Sequence, residues 1–365
     1  MNILLPFIAF VVSALSGLLL IPIIMKFCKK KKLYDIPNER KVHKNAIPRL
    51  GGISFMPSML LAFVLALAVM SQLTGEESIK ISLWTGCFFV SLMLIYSVGI
   101  IDDLLGLGAR TKFAVQIVAA SLLPISGLYI NNLYGFLGIY EIPFWVGAPL
   151  TVFIIVFIDN AINLIDGIDG LAAGLSFMAL GGFLACFMRY GLLTYCVLIA
   201  GLMGVLVPYL YYNIIAPDNK KIFMGDSGSL TLGFILGFLF VKFAMDNPAV
   251  MEFRREGLML SITMLIVPIF DVFRIILTRF RHHRPLFQAD KNHIHHKLMR
   301  MGLSQHQTLL AILLTASLFG LINCVMVFAF DMSLTFVLTL DIVLYIIFDQ
   351  LVNYIILRRG EQPFV

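Results

Sequence analysis

Residues 157–174 read FIDNAINLIDGIDGLAAG, and they place carboxylates and carboxamides between two strongly apolar stretches of the chain. Such side chains are costly beside lipid, so their presence within a membrane protein points to a function. The 365-residue chain is 60% hydrophobic and only 13% charged, which excludes a soluble globular protein. The sequence therefore predicts an integral membrane protein whose chemistry lies at the ends of its spanning helices.

Eleven apolar runs are long enough to cross a bilayer, for which a helix needs about 20 residues. They predict an all-α polytopic bundle of about 11 transmembrane helices, forming a single membrane domain over residues 1–365. Lys29–Lys32 follow the first run instead of preceding it, which favours a retained first span over a cleaved signal peptide. The runs centre on residues 3–26, 52–71, 83–101, 112–130, 144–159, 171–188, 191–212, 229–245, 258–278, 307–330 and 334–357.

The basic residues are distributed unevenly between the two sides of the membrane. When the first loop is taken as cytoplasmic, most of the 27 Lys and Arg residues fall on its side. This asymmetry predicts an N-terminus outside and a cytoplasmic C-terminus. All seven histidines fall on the same side. We therefore expect an active site that faces the cytoplasm and is built from loops 26–52, 101–112, 159–170, 213–229 and 271–306.

The polar residues of the opening stretch gather on one half of a helix. On a wheel of 100° per residue, Asn163 and Asp166 lie within about 40° of Asp159, and Asp169 flanks them. A glycine follows Asp166 and another follows Asp169, so we expect the helix to open into a turn where backbone approaches a ligand.

Three further segments bring acids, amides and cations to this surface. For an isolated acid, a solvated helix cap is an equally good interpretation. A group of acids at low dielectric repels itself unless a cation holds it, and oxygen ligands beside phosphate favour Mg²⁺ or Mn²⁺. The segments are IYSVGIIDDLLGLGARTK (95–112), YYNIIAPDNKKIFMGDSGSLTLG (211–233) and PIFDVFRIILTRFRHHRPLFQADKNHIHHKL (268–298).

The loops also carry cations and histidines. The HIHH run, residues 293–296, could ligate zinc, but no cysteine accompanies it and the surrounding basic residues favour a phosphate-bearing ligand. Attraction to anionic lipid headgroups explains Lys29–Lys32. It does not explain Arg40 and His43. Together these features indicate phosphoryl transfer between a soluble charged donor and a lipid acceptor.

The chain resembles the bacterial polyprenyl-phosphate N-acetylhexosamine-1-phosphate transferases, which are polytopic phosphoglycosyl transferases of the glycosyltransferase 4 type. The resemblance covers nearly the whole chain and is specific because six motifs occur in order on one side. They are DIPNERKVHKNAIPRLGG, DDLLGLGARTKFAVQ, NAINLIDGIDGLAAG, FMGDSGSLTLG, PIFD and HIHHKL.

The resemblance implies a Mg²⁺-dependent reaction at the bacterial inner membrane. A UDP-linked amino sugar gives its sugar 1-phosphate to undecaprenyl phosphate, UMP is released, and synthesis of a cell-envelope glycan begins. The form of KNHIHHKL is closer to the enzymes that use UDP-N-acetylglucosamine for O-antigen, enterobacterial common antigen or teichoic-acid linkage units. The branch that transfers phospho-N-acetylmuramoyl-pentapeptide in peptidoglycan synthesis is the alternative.

The resemblance also implies roles for individual residues. Asp226 would ligate the metal, with Asp102 and Asn163 beside it, and Asp102 or Asp103 would engage the lipid phosphate or act as base. The connection from Asn213 to Asp226 is longer than usual, which makes a nucleotide contact by Asn213 less certain than the role of Asp226. The implied catalytic residues are Asp102, Asp103, Asp166 and Asp169, and the implied substrate contacts are Lys112, Asn163, Asn213, His293, His295, His296, Arg40 and His43.

Several alternatives stay open at this point. The acceptor phosphate could attack directly, or Asp103 could first form a covalent intermediate, and direct attack is favoured because a lipid phosphate is already ionised. A transporter is the main alternative of another class, although its charges would lie near span centres and on both sides. An alcohol phosphotransferase would need an AR pair after DG, which this chain lacks. The sequence indicates no nucleic-acid partner and leaves the donor sugar and a homodimer undecided.

Overall fold

The computed structural model describes residues 3–35, 46–74, 82–285 and 291–363. Within these residues the chain is almost wholly helical, because in lipid each backbone amide must find its partner inside the protein and a helix provides it locally. The helices are α1 (Leu4–Lys31), α2 (Phe55–Thr74), α3 (Leu83–Leu105), α4 (Ala109–Ile125), α5 (Phe144–Ile165), α6 (Leu171–Arg189), α7 (Leu193–Leu210), α8 (Gly225–Ala244), α9 (Gly257–Met264), α10 (Ile266–Arg281), α11 (Ile294–Arg300), α12 (Gln305–Phe328) and α13 (Leu334–Arg358).

Ten of the eleven predicted apolar runs each fall largely on one helix, and the run 258–278 falls on two, which confirms an all-α polytopic membrane protein. Among the described residues, nine helices are long and apolar enough to cross a membrane on their own. Helices α9 and α10 reach that length only together, and the chain bends by 75° between them. Helix α4 has 17 residues, fewer than the about 20 of a full crossing. The exact number of crossings and their orientation stay predictions.

Local sequence signals explain where several helices begin and end. Ser82 precedes α3 and accepts a hydrogen bond from Thr85 N at 3.4 Å. Ser304 and Gln307 form a capping box at the start of α12. Helix α1 ends in Lys29–Lys31, whose charges suit the negative end of the helix dipole.

The few strands are short and lie in loops. After β2 the chain runs beside the segment that leads into α8, where Phe223 N donates to the carbonyl of Pro48 and Gly51 N donates to the carbonyl of Phe223, both at 2.8 Å. The first loop is thereby attached to the start of α8. The antiparallel strand pairs are β1 (Tyr34–Asp35) with β2 (Ile47–Pro48), and β3 (Asn132–Phe136) with β4 (Ile139–Glu141).

Helix α8 is the centre of the bundle, and every residue from Ser227 to Ala244 is buried. Glycines allow its neighbours to approach closely, as small residues do between membrane helices. A Cβ atom on Gly233 would lie 2.6 Å from the Cα atom of Asp159 in α5, and one on Gly52 would lie 2.1 Å from the Cα atom of Gly228. This packing places the first turn of α8 against three other segments.

The outer helices present apolar side chains away from the bundle. Leu19 of α1, Leu314 of α12 and Ile346 of α13 are each more than half exposed in the isolated chain. In a membrane protein such side chains face lipid. The polar groups described below are withdrawn towards the ends of the bundle.

Candidate active site

Asp226 lies in the first turn of α8, at the end of the bundle that we call the site end. A carboxylate there is favoured by the positive end of the helix dipole. Its Oδ2 atom accepts a hydrogen bond from Lys112 Nζ at 2.6 Å, and its Oδ1 atom accepts one from Asn163 Nδ2 at 2.9 Å. Asp226 therefore connects α8 to both α4 and α5.

Lys112 lies in the first turn of α4 and holds two carboxylates together. Its Nζ atom is 3.1 Å from Asp102 Oδ2 and 2.6 Å from Asp226 Oδ2. Asp102 also accepts a hydrogen bond from Leu107 N at 2.5 Å, which fixes it over the turn between α3 and α4. One ammonium group thus bridges two acids and offsets part of their mutual repulsion.

Asp103, the neighbour of Asp102, faces the backbone at the start of α8. It accepts hydrogen bonds from Asp226 N and Ser227 N, both at 2.9 Å, and it is buried. Gly225 has a φ of +70°, and a Cβ atom there would lie 2.5 Å from the Asp103 carboxylate oxygens. Asp103 therefore caps α8 and holds Asp226 in place.

A second polar layer lies one helical turn deeper than Lys112 and Asn163. Gln116 follows Lys112 by four residues, and its Nε2 atom donates to Asp159 Oδ2 at 2.9 Å. Asn160 Nδ2 donates to Gln116 Oε1 at 2.9 Å. Asp159 Oδ1 is buried and finds no hydrogen-bond partner within the described residues. The two layers fix the register of α4 against α5.

The loop after α5 is tied to the segment that precedes α8. Lys221 Nζ lies 2.7 Å from Asp169 Oδ2. Asn213 Oδ1 accepts a hydrogen bond from Gly170 N at 2.6 Å, and its Nδ2 atom donates to the carbonyl of Ile222 at 3.0 Å. Asn213 thus connects two backbone segments, and its contact with a nucleotide stays a prediction.

Asp166 lies directly after α5 and is partly buried. No hydrogen bond from another described residue reaches its side chain. Burial, together with the negative charges of Asp226, Asp169 and Asp103, raises the pKa of Asp166 to about 8. At neutral pH the protonated form of this carboxyl group therefore predominates.

A buried acid organises the start of α11. Asp271 accepts hydrogen bonds from Arg274 Nη2 at 2.7 Å and from the backbone N of Ile294 at 2.9 Å. Its second oxygen lies 2.8 Å from His293 Nδ1. This network sets the orientation of the His293 ring and leaves its Nε2 atom for another partner.

His295 lies against the loop after α5. A Cβ atom on Gly167 would come within 2.1 Å of His295 Nε2, so glycine is required for this approach. Both ring nitrogens of His295 are buried and have no hydrogen-bond partner within the described residues. Burial and the neighbouring His296 and His293 lower the pKa of His295, and burial and His293 lower the pKa of His296 to about 4. These two imidazoles are therefore neutral at physiological pH.

Two supporting contacts were not predicted from the sequence. Lys297 pairs with Asp349 of α13, and Arg274 Nε lies 3.6 Å from the same Asp349 oxygen. No local sequence pattern links α11 to a helix that begins more than 30 residues later, so the sequence carries no signal for these contacts. Gln116 was also missed, although its spacing of four residues from Lys112 places it on the same helix face.

The structure brings most of the predicted site residues to one end of the bundle. Direct hydrogen bonds join Asp102, Asp103, Lys112, Asn163 and Asp226. The histidines of α11 reach the same region through the contact of His295 with the loop after α5. The predicted substrate contacts Arg40 and His43 lie outside the described residues.

The acids suit a magnesium ion that is completed by substrate. Within the described residues, no three His, Cys, Asp or Glu side chains lie where they could hold a metal ion together. Mg²⁺ needs fewer, because it keeps several waters and binds one or two carboxylates plus substrate phosphates. Asp102 and Asp226 both face the Lys112 ammonium, so positive charge is already required between them. Asn163 donates through Nδ2 to Asp226 and Ser229, so it orients Asp226 in this arrangement, and its role as a ligand stays a prediction.

Fold and site together define a polytopic membrane protein whose acids and lysines are arranged for phosphoryl chemistry. A family model described as glycosyl transferase family 4 matches residues 84–244. The probable undecaprenyl-phosphate N-acetylglucosaminyl 1-phosphate transferase of Bacillus subtilis (strain 168) is 33% identical over 98% of this chain and 94% of its own length. The decaprenyl-phosphate N-acetylglucosaminephosphotransferase of Mycobacterium leprae (strain TN) is 34% identical over 76% of this chain and 73% of its own length.

A further relative, the undecaprenyl-phosphate alpha-N-acetylglucosaminyl 1-phosphate transferase of Yersinia pestis, is 28% identical over 82% of this chain and 78% of its own length. The chain belongs to glycosyl transferase family 4, which confirms the resemblance seen in its motifs. This membership disfavours the transporter alternative.

Proposed function

We propose that this protein transfers N-acetylglucosamine 1-phosphate from UDP-N-acetylglucosamine to undecaprenyl phosphate and releases UMP. The names of the Bacillus and Yersinia relatives support this acceptor and this transferred group. The observation that carries the proposal is the Lys112 ammonium shared between Asp102 and Asp226. Transfer of a phosphoryl group depends on such an arrangement, because the protein mainly positions the phosphates and neutralises their charge.

The site end would face the cytoplasm of a bacterial inner membrane. The excess of Lys and Arg residues in the loops at this end supports that orientation, with the N-terminus outside and the C-terminus inside. The acceptor would reach the site from the lipid, while the soluble donor would enter from the aqueous side.

In the proposed reaction an oxygen of the acceptor phosphate attacks the β-phosphorus of the donor. A new P–O bond joins the two phosphates. The bond from the β-phosphorus to the bridging oxygen of the α-phosphate breaks, and that oxygen leaves on UMP with the electron pair. The attacking phosphate is already ionised at neutral pH, so the step does not require proton removal by a strong base.

The position of Asp103 supports direct attack over a covalent intermediate. Both of its carboxylate oxygens accept backbone hydrogen bonds from α8, and the side chain is buried. Attack on phosphorus would require Asp103 to give up these bonds and release the start of α8. Asp103 is therefore suited to position Asp226.

The other groups of the site have complementary tasks. Mg²⁺, or Mn²⁺, held by Asp226 and Asp102 would neutralise the charge of the phosphates. Lys112 adds a second positive charge at the same place. The neutral ring of His295 would offer both a donor and an acceptor to a donor nucleotide bound near Gly167.

The proposal is tested with the purified full-length protein, undecaprenyl phosphate, Mg²⁺ and a panel of UDP-sugars. The panel contains UDP-N-acetylglucosamine, its 2-acetamido epimers and UDP-N-acetylmuramoyl-pentapeptide, and the measurement is UMP release together with the lipid product. We expect turnover with UDP-N-acetylglucosamine that stops when EDTA removes the metal. Preferred use of the muramoyl-pentapeptide donor would replace this proposal by the peptidoglycan branch.

A further inference from the structure

Arg49 belongs to the PRLGG segment that is fastened beside the site. Phe223 N donates to the carbonyl of Pro48, and Gly51 N donates to the carbonyl of Phe223, both at 2.8 Å. Arg49 itself pairs with Phe223 in a parallel bridge. The backbone of Arg49 is therefore held on both sides. Its bridge partner, Phe223, precedes Asp226 by only three residues.

The residue after Arg49 has a strained backbone. Leu50 has a φ of 124°, a region that side chains other than glycine rarely adopt, and it is buried. Such strain persists where the surrounding structure imposes it, and it is concentrated at functional sites. Here it turns the buried Leu50 inward and directs the chain into Gly51.

The guanidinium group of Arg49 has no hydrogen bond or ion pair with any described residue, and its Nε atom is buried without a partner. A buried polar atom in this state needs a ligand or water to satisfy it. Four other buried or half-buried cations of this end already have acidic partners. These pairs are Lys112 with Asp102 and Asp226, Lys221 with Asp169, Arg274 with Asp271, and Lys297 with Asp349.

Arg49 also lies close to the acids of the site. Its carbonyl oxygen lies 3.5 Å from the Sγ atom of Cys28 in α1, and its bridge partner Phe223 precedes Asp226 by three residues. Because Arg49 and Phe223 are bridge partners, their side chains share a face, and both are partly exposed. The Arg49 side chain is thus partly exposed at the site end, while its Nε atom is buried.

We propose that Arg49 binds a phosphate group of one of the two substrates, an inference that rests on the function proposed above. The planar guanidinium presents paired N–H donors that match two phosphate oxygens. The donor diphosphate and the acceptor phosphate share this chemistry. A phosphate would bind the guanidinium group of Arg49 and balance its unpaired charge beside the site acids.

The test compares wild-type enzyme with Arg49→Gln and Arg49→Lys. Initial rates of UMP release are measured while one substrate is varied at saturating levels of the other, and then the reverse. We expect Arg49→Gln to lower kcat/KM by about 10- to 100-fold. Arg49→Lys should retain part of the wild-type kcat/KM, because lysine keeps the positive charge but lacks the paired N–H donors of the guanidinium group. A raised KM for UDP-N-acetylglucosamine assigns the donor diphosphate, and a raised KM for undecaprenyl phosphate assigns the acceptor.

Arg358→Gln is the matched control, since it removes the same charge from an exposed position at the end of α13. It should leave both KM values unchanged. The proposal is overturned if Arg49→Gln leaves both KM values at the wild-type level, whether or not its thermal unfolding midpoint falls. A wild-type enzyme without turnover would instead contradict the proposed function, so the two failures are distinguishable.

Discussion

The two ends of α8 both withdraw charged side chains from solvent, but they satisfy them differently. At the far end, Arg254 is buried and donates to the carbonyls of Phe243 and Met245 at 2.8 and 2.6 Å. Lys242 is also buried there, with its ammonium 4.9 Å from the centre of the Trp84 ring. Backbone carbonyls and aromatic rings are fixed parts of the fold, so these cations stabilise the structure.

At the site end, charges are satisfied by charges on other helices. Lys112 of α4 reaches Asp102 of α3 and Asp226 of α8. Partners of this kind can be exchanged for the charges of a substrate or a metal ion. Burial of a charge therefore does not by itself identify a functional site, whereas the nature of its partners does. Substitutions at the site end should change turnover more than stability, and substitutions at the far end should do the opposite.

The largest effect on turnover is expected for Asp226→Asn. The change keeps the shape of the side chain and removes the charge that Lys112 and a metal ion require, so UMP release should fall by about 1000-fold or more. The thermal unfolding midpoint should fall only modestly, because loss of the ion pair with Lys112 is partly offset by reduced repulsion with Asp102 and Asp103. Asp331→Asn is the control, since Asp331 is exposed at the far end and pairs with Arg255. A variant that keeps a tenth of wild-type turnover would show that Asp226 is not central.

The next largest effect is expected for Gly167→Ala. The new methyl group would displace His295, because it would lie 2.1 Å from His295 Nε2. We expect kcat/KM to fall by about 100-fold, because a small displacement of a substrate-positioning group can cost that much. Gly181→Ala is the matched control, since its Cβ atom would lie 3.8 Å from the Cε atom of Met203, an ordinary van der Waals contact. Equal kinetics for the two variants would mean that the position of His295 does not matter.

Much of this arrangement follows from sequence patterns. The apolar runs predict the helices, because a chain in lipid must satisfy its backbone hydrogen bonds internally. The motifs predict which acids lie close together, because clustered carboxylates need a shared cation. The pair Asp102 and Asp103 could not be resolved further, since adjacent carboxylates point in different directions and the sequence does not say which one caps α8. The pairing of Lys297 with Asp349 joins positions 52 residues apart, which no local pattern encodes.

The sequence contains a signal for the break between α9 and α10, but the continuous apolar run across the break obscures it. The apolar run continues through Leu265, so it predicts one straight span over 258–278. Pro268 lies in the first turn of α10, where proline is tolerated because the first N–H groups of a helix have no partner within it. Proline at such a position indicates the start of a new helix, and the direction of the bend depends on packing.

A smaller effect on turnover is expected for Asp166→Asn, together with a gain in stability that depends on pH. We expect turnover to fall by about 10-fold, because an acid beside the proposed metal and nucleotide positions is lost. In the metal-free protein, burial and neighbouring acids raise the pKa of Asp166 from its ordinary 3.8 to about 8. Across this window the folded chain holds a proton that the unfolded chain has released, so the free energy of unfolding falls as the pH rises.

The variant lacks this titration, and the measurement is thermal unfolding in EDTA at about pH 5 and about pH 9. The midpoint of Asp166→Asn should exceed that of the wild type more at the higher pH, where the wild-type carboxylate is charged. Asp331→Asn should show the same difference from wild type at both pH values. A constant offset for Asp166→Asn would contradict a raised pKa for this group.

The smallest effect on turnover is expected at the far end of α8. Arg254→Met keeps the length of the side chain but leaves the carbonyls of Phe243 and Met245 without a donor, at about 1–3 kcal/mol each. The thermal midpoint should fall clearly, while kcat per folded molecule stays within about threefold of wild type, since the whole length of α8 separates Arg254 from Asp226. Lys242→Met should lower the midpoint less, because its loss is confined to cation–π contacts of about 0.5–2 kcal/mol. If either variant instead lost turnover without losing stability, the far end would take part in the reaction, and the distinction between exchangeable and fixed partners would fail.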